Sequence, residues 1–146
     1  MGARTAAREA ALMLLYAADT DPETAAGKLL PDMLPHHFWT GMLPEASLDP
    51  ELESRTYAEE IARGVTAGRA QIDEKITAAS QNWRIGRMSR VDRAILRMCV
   101  WELQHDVPRA VAIDEAIELA KRYGSSESSR FINGIVEQIA TSLGSV

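Results

Sequence analysis

Residues 110–140 read AVAIDEAIELAKRYG-SSES-SRFINGIVEQIA, two helical patterns that meet at a short polar corner. Ile113, Ala116, Ile117 and Ala120 recur at helical spacing, and Ile132, Ile135, Val136 and Ile139 do so beyond the corner. Each segment therefore presents an apolar face to a core. Gly124 is expected to end the first helix in a left-handed C-cap, with Ser125 or Ser126 capping the second. Around this junction stand Lys121, Arg122, Tyr123, Glu127, Arg130 and Phe131. Cations and aromatic rings beside a helix start can hold phosphates and stack on unpaired bases.

Moving upstream, Val107-Pro108 ends a helix that starts near Ser89 and reaches about His105, burying Ile95, Leu96, Cys99 and Leu103. Ser89 with Asp92 three residues on has the spacing of a capping box, with Asp in place of Glu or Gln. Trp83 to Arg90 is a short basic linker. Before it, Asp49-Pro50-Glu51 combines a capping Asp with Pro at the first helical position. The helix that follows should bend or break at Gly64 and Gly68 before a further segment through Ala79. Residues 31–50 hold four of the six prolines and the pair Phe38-Trp39, a pattern of short turns in an irregular connection. The first helix is expected over Thr5–Ala18, with Asp21-Pro22 starting another. These elements divide into an N-terminal helical subdomain over 1–80 and a C-terminal one over 81–146, together one compact unit.

Composition agrees with an all-α fold. Of the 146 residues 46% are hydrophobic, enough for a real core, while aromatics make up only 5% and Ala, Leu, Glu and Arg dominate. The net charge of −5 argues against gripping duplex DNA by bulk electrostatics. Its distribution is uneven: residues 1–81 carry 7 basic and 13 acidic groups, and residues 82–146 carry 9 and 8. A nucleic-acid surface must then be a local patch. No run approaches the ~20 apolar residues of a membrane span, and the N-terminus lacks a signal-peptide core, so a cytoplasmic protein is expected.

Catalytic chemistry finds no support in the motifs. A single cysteine, Cys99, excludes an internal disulfide and a multi-Cys metal site, and its apolar neighbours make it a buried small hydrophobe. Asp114, Glu115 and Glu118 read as the solvated face of an amphipathic helix. His36-His37 have no partner at metal-ligand spacing, and His105 suits the dipole at a helix end. A Gly-rich phosphate loop and a nucleophile elbow are both missing. No enzyme activity, metal or cofactor is expected. A DNA-reading helix-turn-helix fits poorly, because the final helix offers Arg130 as its one cation.

Two further sets of charges bear on binding. Arg84, Arg87, Arg90, Arg93 and Arg97 form the densest basic run, readable as a solvated surface pairing with Glu102, Asp92 and the acidic N-terminal half, or as a contact for a partner or RNA. Near the N-terminus, Arg4 and Arg8 lie one helical turn apart, beside a stripe of Glu9, Met13 and Tyr16. Tyr16 can be read as buried packing, or as part of a binding surface in which the arginines meet phosphates while Tyr16 or Met13 supports a base.

Taken in order, these segments resemble the bacterial NusB family of transcription antitermination factors. The likeness runs through Arg4-x-x-Ala7-Arg8-Glu9, Leu14-Leu15-Tyr16, Trp83, Val91-Asp92-Arg93-Ala94-Ile95-Leu96-Arg97 and Trp101-Glu102-Leu103. It is most specific in Val111 to Lys121, Tyr123-Gly124 and Arg130-Phe131-Ile132-Asn133-Gly134. The resemblance implies two small helical bundles packed together. It implies binding of single-stranded boxA RNA with ribosomal protein S10, in a complex with RNA polymerase and other Nus factors that promotes ribosomal RNA synthesis. Carried over by position, the RNA-binding residues are Arg4, Arg8, Tyr16, Lys121, Tyr123, Glu127, Arg130 and Phe131: cations for phosphates, rings for bases, Glu127 as an acceptor from a base edge. The alternative is a helical protein–protein adaptor or homodimer that keeps the fold but binds RNA weakly.

Overall fold

The computed structural model describes residues 2–20, 50–81 and 83–144. Among them are six α-helices and no strand, as an all-α fold requires. The helices are α1 (Ala3–Thr20), α2 (Pro50–Ala67), α3 (Arg69–Ala79), α4 (Arg90–Gln104), α5 (Arg109–Tyr123) and α6 (Ser128–Ser142). A 3-10 turn at Ile85–Arg87 lies between α3 and α4. The start expected at Asp21-Pro22, the proline-rich connection up to Asp49 and the His36-His37 pair lie outside the described residues.

The chain divides into two compact units, Met1–Ala67 and Gly68–Val146. In the first, α1 packs on α2. Small side chains dominate the buried positions (Ala7, Ala10, Ala11 and Ala18 on α1, Ala58 and Ala62 on α2), with Leu14, Ile61 and Val65 among them. Alanine at the contact lets two helices approach closely while losing no side-chain entropy. Ser54, buried on α2, donates its hydroxyl to the Ala3 carbonyl at 2.6 Å, satisfying an oxygen at the start of α1.

The boundary falls at Gly68 rather than after residue 80 as the sequence pattern suggests. Gly68 interrupts the helix between α2 and α3, whereas Gly64 stays within α2. The reason that α3 belongs to the C-terminal unit is its apolar face: Ile72 and Ile76 are fully buried, and the helix packs on α4 and α6.

Helix α4 is the centre of this second unit. It touches α3, α5 and α6, and its ten consecutive residues Ala94–Leu103 are all buried. A helix surrounded on every side needs apolar residues all round, and here only Arg97 and Glu102 break that rule. Cys99 is buried as expected, its thiol 3.6 Å from the Ala112 carbonyl of α5. Ile132, Ile135, Val136 and Ile139 of α6 are buried, as are Ile113, Ala116 and Ala120 of α5, while Ile117 is half-buried. An ion pair from Arg109 to Glu137, extended by a hydrogen bond to Thr141, joins α5 to α6 at the surface.

The serine half of the cap expected at α4 forms: Ser89 Oγ accepts from the Asp92 N–H at 3.0 Å. Ser89→Ala should therefore lower stability by about 1 kcal/mol, the usual cost of a lost N-cap. Urea unfolding checks this, with a shifted midpoint and an unchanged slope expected.

Two expectations for the corner after α5 need correction. Gly124 has φ −91° and ψ −172°, an extended rather than a left-handed conformation. The N-cap position of α6 is Glu127, which makes no side-chain capping bond. Instead Ser128, buried in the first turn of α6, accepts from the Ser125 N–H at 2.9 Å. Glycine is needed for space: a Cβ at 124 would lie 2.5 Å from Ser128 Oγ and 2.8 Å from the Ala120 carbonyl oxygen.

Candidate nucleic-acid interface

In the C-terminal unit the tight corner decides which side chains gather. With Ser128 turned inward beneath Gly124, the neighbouring Glu127, Ser129 and Arg130 stand on the outer side of the α6 start, where Glu127 and Arg130 are exposed. Phe131, one residue on, is half-buried and meets Trp83 edge to face, with ring centroids 5.7 Å apart and planes at 77°. Glu127, Arg130 and Phe131 line an open groove of about 410 Å³, whose opposite wall comes from Trp83, Arg87, Met88 and Asp92.

The chemistry of this groove is mixed in a way that suits a nucleobase. Trp83, Phe131 and Met88 supply apolar and aromatic surface, Arg87 and Arg130 supply cations, and Glu127 supplies an acceptor. Asp92 adds a second one. Its Oδ1 is buried and accepts no hydrogen bond from the described residues, so the carboxylate half of the expected capping box leaves this oxygen unsatisfied. A buried acceptor without a donor is costly.

Lys121 and Tyr123 lie at the end of α5, outside the groove lining. Lys121 is exposed and stands 3.7 Å from Glu118 one turn back, and Tyr123 is half-buried. Of the five residues expected from this part of the sequence, the structure thus brings Glu127, Arg130 and Phe131 into one cleft and leaves Lys121 and Tyr123 beside it. The sequence pattern named Arg87 only within the basic run that could meet a partner or RNA, and did not single out Trp83 or Asp92 as binding residues. The signal available was a tryptophan followed at once by a basic run.

The basic run itself splits. Arg84, Arg87 and Arg90 are exposed. Arg93 donates to the Met88 carbonyl at 2.9 Å, fastening the linker to α4. Arg97 is buried and makes a two-pronged pair with Asp73 of α3, Nε to Oδ1 at 2.8 Å and Nη2 to Oδ2 at 3.1 Å. Its acid thus belongs to the acidic stretch 1–81, and is neither Glu102 nor Asp92. His105 serves structure as well, with Nδ1 2.7 Å from the Trp101 carbonyl and its ring stacked on that indole.

In the N-terminal unit, Arg4 and Arg8 converge on one ring. Their guanidinium carbons lie 4.1 Å and 5.5 Å from the centroid of Tyr57, within the range of cation–π attraction. Arg4 is exposed, whereas Arg8 is only 4% exposed. Arg8, expected at a phosphate, thus lies buried beside Tyr57, while Arg4 holds the outer place. Tyr16 is 42% exposed and Met13 37%, two large side chains presented to solvent from α1.

Comparison with known proteins gives the family. The model of the NusB family matches residues 5–141. Over 148 residues the chain is 49% identical to transcription antitermination protein NusB of Sorangium cellulosum (strain So ce56), covering all of this chain and 97% of that protein. With its counterpart from Geobacter sulfurreducens the identity is 43%, over 98% of this chain and 97% of that protein. The structure of T. maritima NusB superposes with a TM-score of 0.74 at 30% identity, covering 94% of this chain and 90% of that one. The chain belongs to the NusB family, whose members are transcription antitermination factors and not enzymes.

Proposed function

We propose that the protein binds single-stranded boxA-type RNA together with ribosomal protein S10, and that this complex joins RNA polymerase and other Nus factors in the cytoplasm to promote ribosomal RNA transcription. The observation that carries this reading is the groove beside α6, where the half-buried ring of Phe131, the exposed Arg130 and the acceptors Glu127 and Asp92 face one space. Sequence-specific RNA recognition targets unpaired bases, which stack on aromatic rings and offer their edges to polar groups. Arg130 is placed for a phosphate, Phe131 for a base face, and Glu127 for the N–H groups of a base edge. Lys121 and Tyr123 extend the contact from the end of α5. Arg4 and Tyr16 make contacts of their own from the N-terminal unit, with Arg8 holding Tyr57 beneath Arg4.

Titration of labelled boxA RNA with the protein, with and without S10, tests the reading. Binding at low salt that tightens when S10 is added is expected, along with a decline as salt rises, since each phosphate contact contributes about 0.7 to the logarithmic slope on single strands. Absence of binding in both arms leaves the protein as a helical adaptor or homodimer of this fold. Phe131→Ala should weaken RNA binding by roughly tenfold, the loss of one stacked base, with helicity retained. A large fall in melting temperature without a specific loss of RNA affinity would instead make the ring part of the core.

A further inference from the structure

We infer that Trp83 is a base-stacking platform and that the linker 83–90 carries a further stretch of the RNA, with Arg87 at a phosphate. This assignment rests on the RNA-binding reading above and extends it beyond the residues named there. The first observation is exposure: Trp83 is 56% exposed, whereas Trp101 of the same unit is 7% exposed. Leaving an indole in water forgoes the burial that normally places tryptophan in a core.

The second observation is that this exposed ring is held. The Trp83 N–H donates to the Ser80 carbonyl at 2.7 Å. Ser80 is itself buried, and its hydroxyl lies 2.8 Å from the Ile76 carbonyl and 3.1 Å from that of Trp83, within donating reach of either. The backbone of Trp83 is therefore tied to the end of α3. Its ring is steadied from the side by Phe131, edge to face. With Trp83 56% exposed, part of the indole stays open beside this contact, and the two rings at 77° form a corner that can take a planar group against one and meet its edge with the other. A side chain so fixed loses little freedom on binding, which favours affinity.

The third observation is charge. Directly after Trp83 the exposed Arg84, Arg87 and Arg90 follow along the linker, and Arg87 shares the groove with Arg130. The fourth member of the run, Arg93, is turned to the Met88 carbonyl, so the linker is anchored while its outer cations face solvent. Aromatic rings that alternate with cations along a groove are what an unpaired polynucleotide requires.

The test uses the intact protein with saturating S10 and labelled boxA RNA. Trp83→Ala should weaken binding roughly tenfold or more, whereas Trp83→Phe, which keeps a ring, should stay within a few-fold of the original affinity. Tryptophan fluorescence should be quenched by RNA in the unaltered protein, and that quenching should be lost in Trp83→Phe. Arg87→Gln should flatten the salt dependence by about 0.7 on the logarithmic scale. Far-UV circular dichroism confirms that each variant folds. If Trp83→Ala binds as tightly as the unaltered protein while Phe131→Ala is impaired, the platform is overturned and the boxA reading stands. Quenching that persists in Trp83→Phe overturns it as well. If the unaltered protein with S10 binds no RNA, both readings fall together.

Discussion

Arg97→Ala is expected to lower the free energy of unfolding by about 2–3 kcal/mol, because it strips a paired carboxylate of its partner inside the C-terminal unit. The Arg97 side chain is 8% exposed and that of Asp73 is 25% exposed, so the pair is buried on the arginine side and partly wet on the other. Removing one member of a fully buried pair costs about 3–5 kcal/mol, and the residual water at Asp73 places this pair below that range. After the substitution Asp73 keeps Arg69, 3.9 Å away on its own helix. The aliphatic stem of Arg97 also leaves a gap between α3 and α4, adding a packing loss. The double substitution Arg97→Met with Asp73→Leu should recover most of the stability, since two well-packed apolar side chains can replace an ion pair at little cost. Urea unfolding of Arg97→Met, Asp73→Leu and the double variant measures the coupling. A single Arg97→Ala loss below about 0.5 kcal/mol would show that the pair behaves as a surface bridge.

What the sequence made legible was mostly local. The periodicity of α6 told which side would be buried, and Ile132 and Val136 are where that pattern puts them; Ile95, Leu96 and Cys99 of α4 are buried as expected, but so is every other side of that helix between Ala94 and Leu103. Ser89 announced the start of α4 because a cap acts within one turn. The parts that the pattern did not reveal depend on residues far apart in the chain. Arg4 and Arg8 share a helix face in any reading, but only the packing of α2 puts Tyr57 beside them, and that ring explains why Arg8 lies inside. Arg97 has acids nearer in sequence, yet the two-pronged geometry of its guanidinium is met by Asp73, 24 residues back. The linker reading of Trp83 to Arg90 did not reveal that the Trp83 backbone is tied down while its ring stays out.

Gly124→Ala should lower stability by about 1–3 kcal/mol and impair the groove along with it, through a steric conflict and not through backbone strain. At φ −91° any residue can adopt the conformation found, so a left-handed cap does not explain the glycine. The obstacle is Ser128, whose Oγ and Cβ would lie 2.5 Å and 2.6 Å from the new methyl, with the Ala120 carbonyl at 2.8 Å on another side. The carbonyl cannot retreat, because it accepts the Gly124 N–H at 2.9 Å and closes the last turn of α5. Ser128 cannot turn away without giving up the Ser125 N–H, and it is buried. The start of α6 must then shift outward, and Glu127, Arg130 and Phe131 shift with it. Gly124→Ala should therefore weaken boxA RNA binding by more than its loss of stability accounts for, when affinity is measured at a temperature where the variant is fully folded. Combining it with Ser128→Ala removes the Oγ conflict but leaves Cβ against Cβ, so affinity should recover only in part. Full affinity in a destabilised Gly124→Ala variant would mean that the position of the α6 start does not govern the groove.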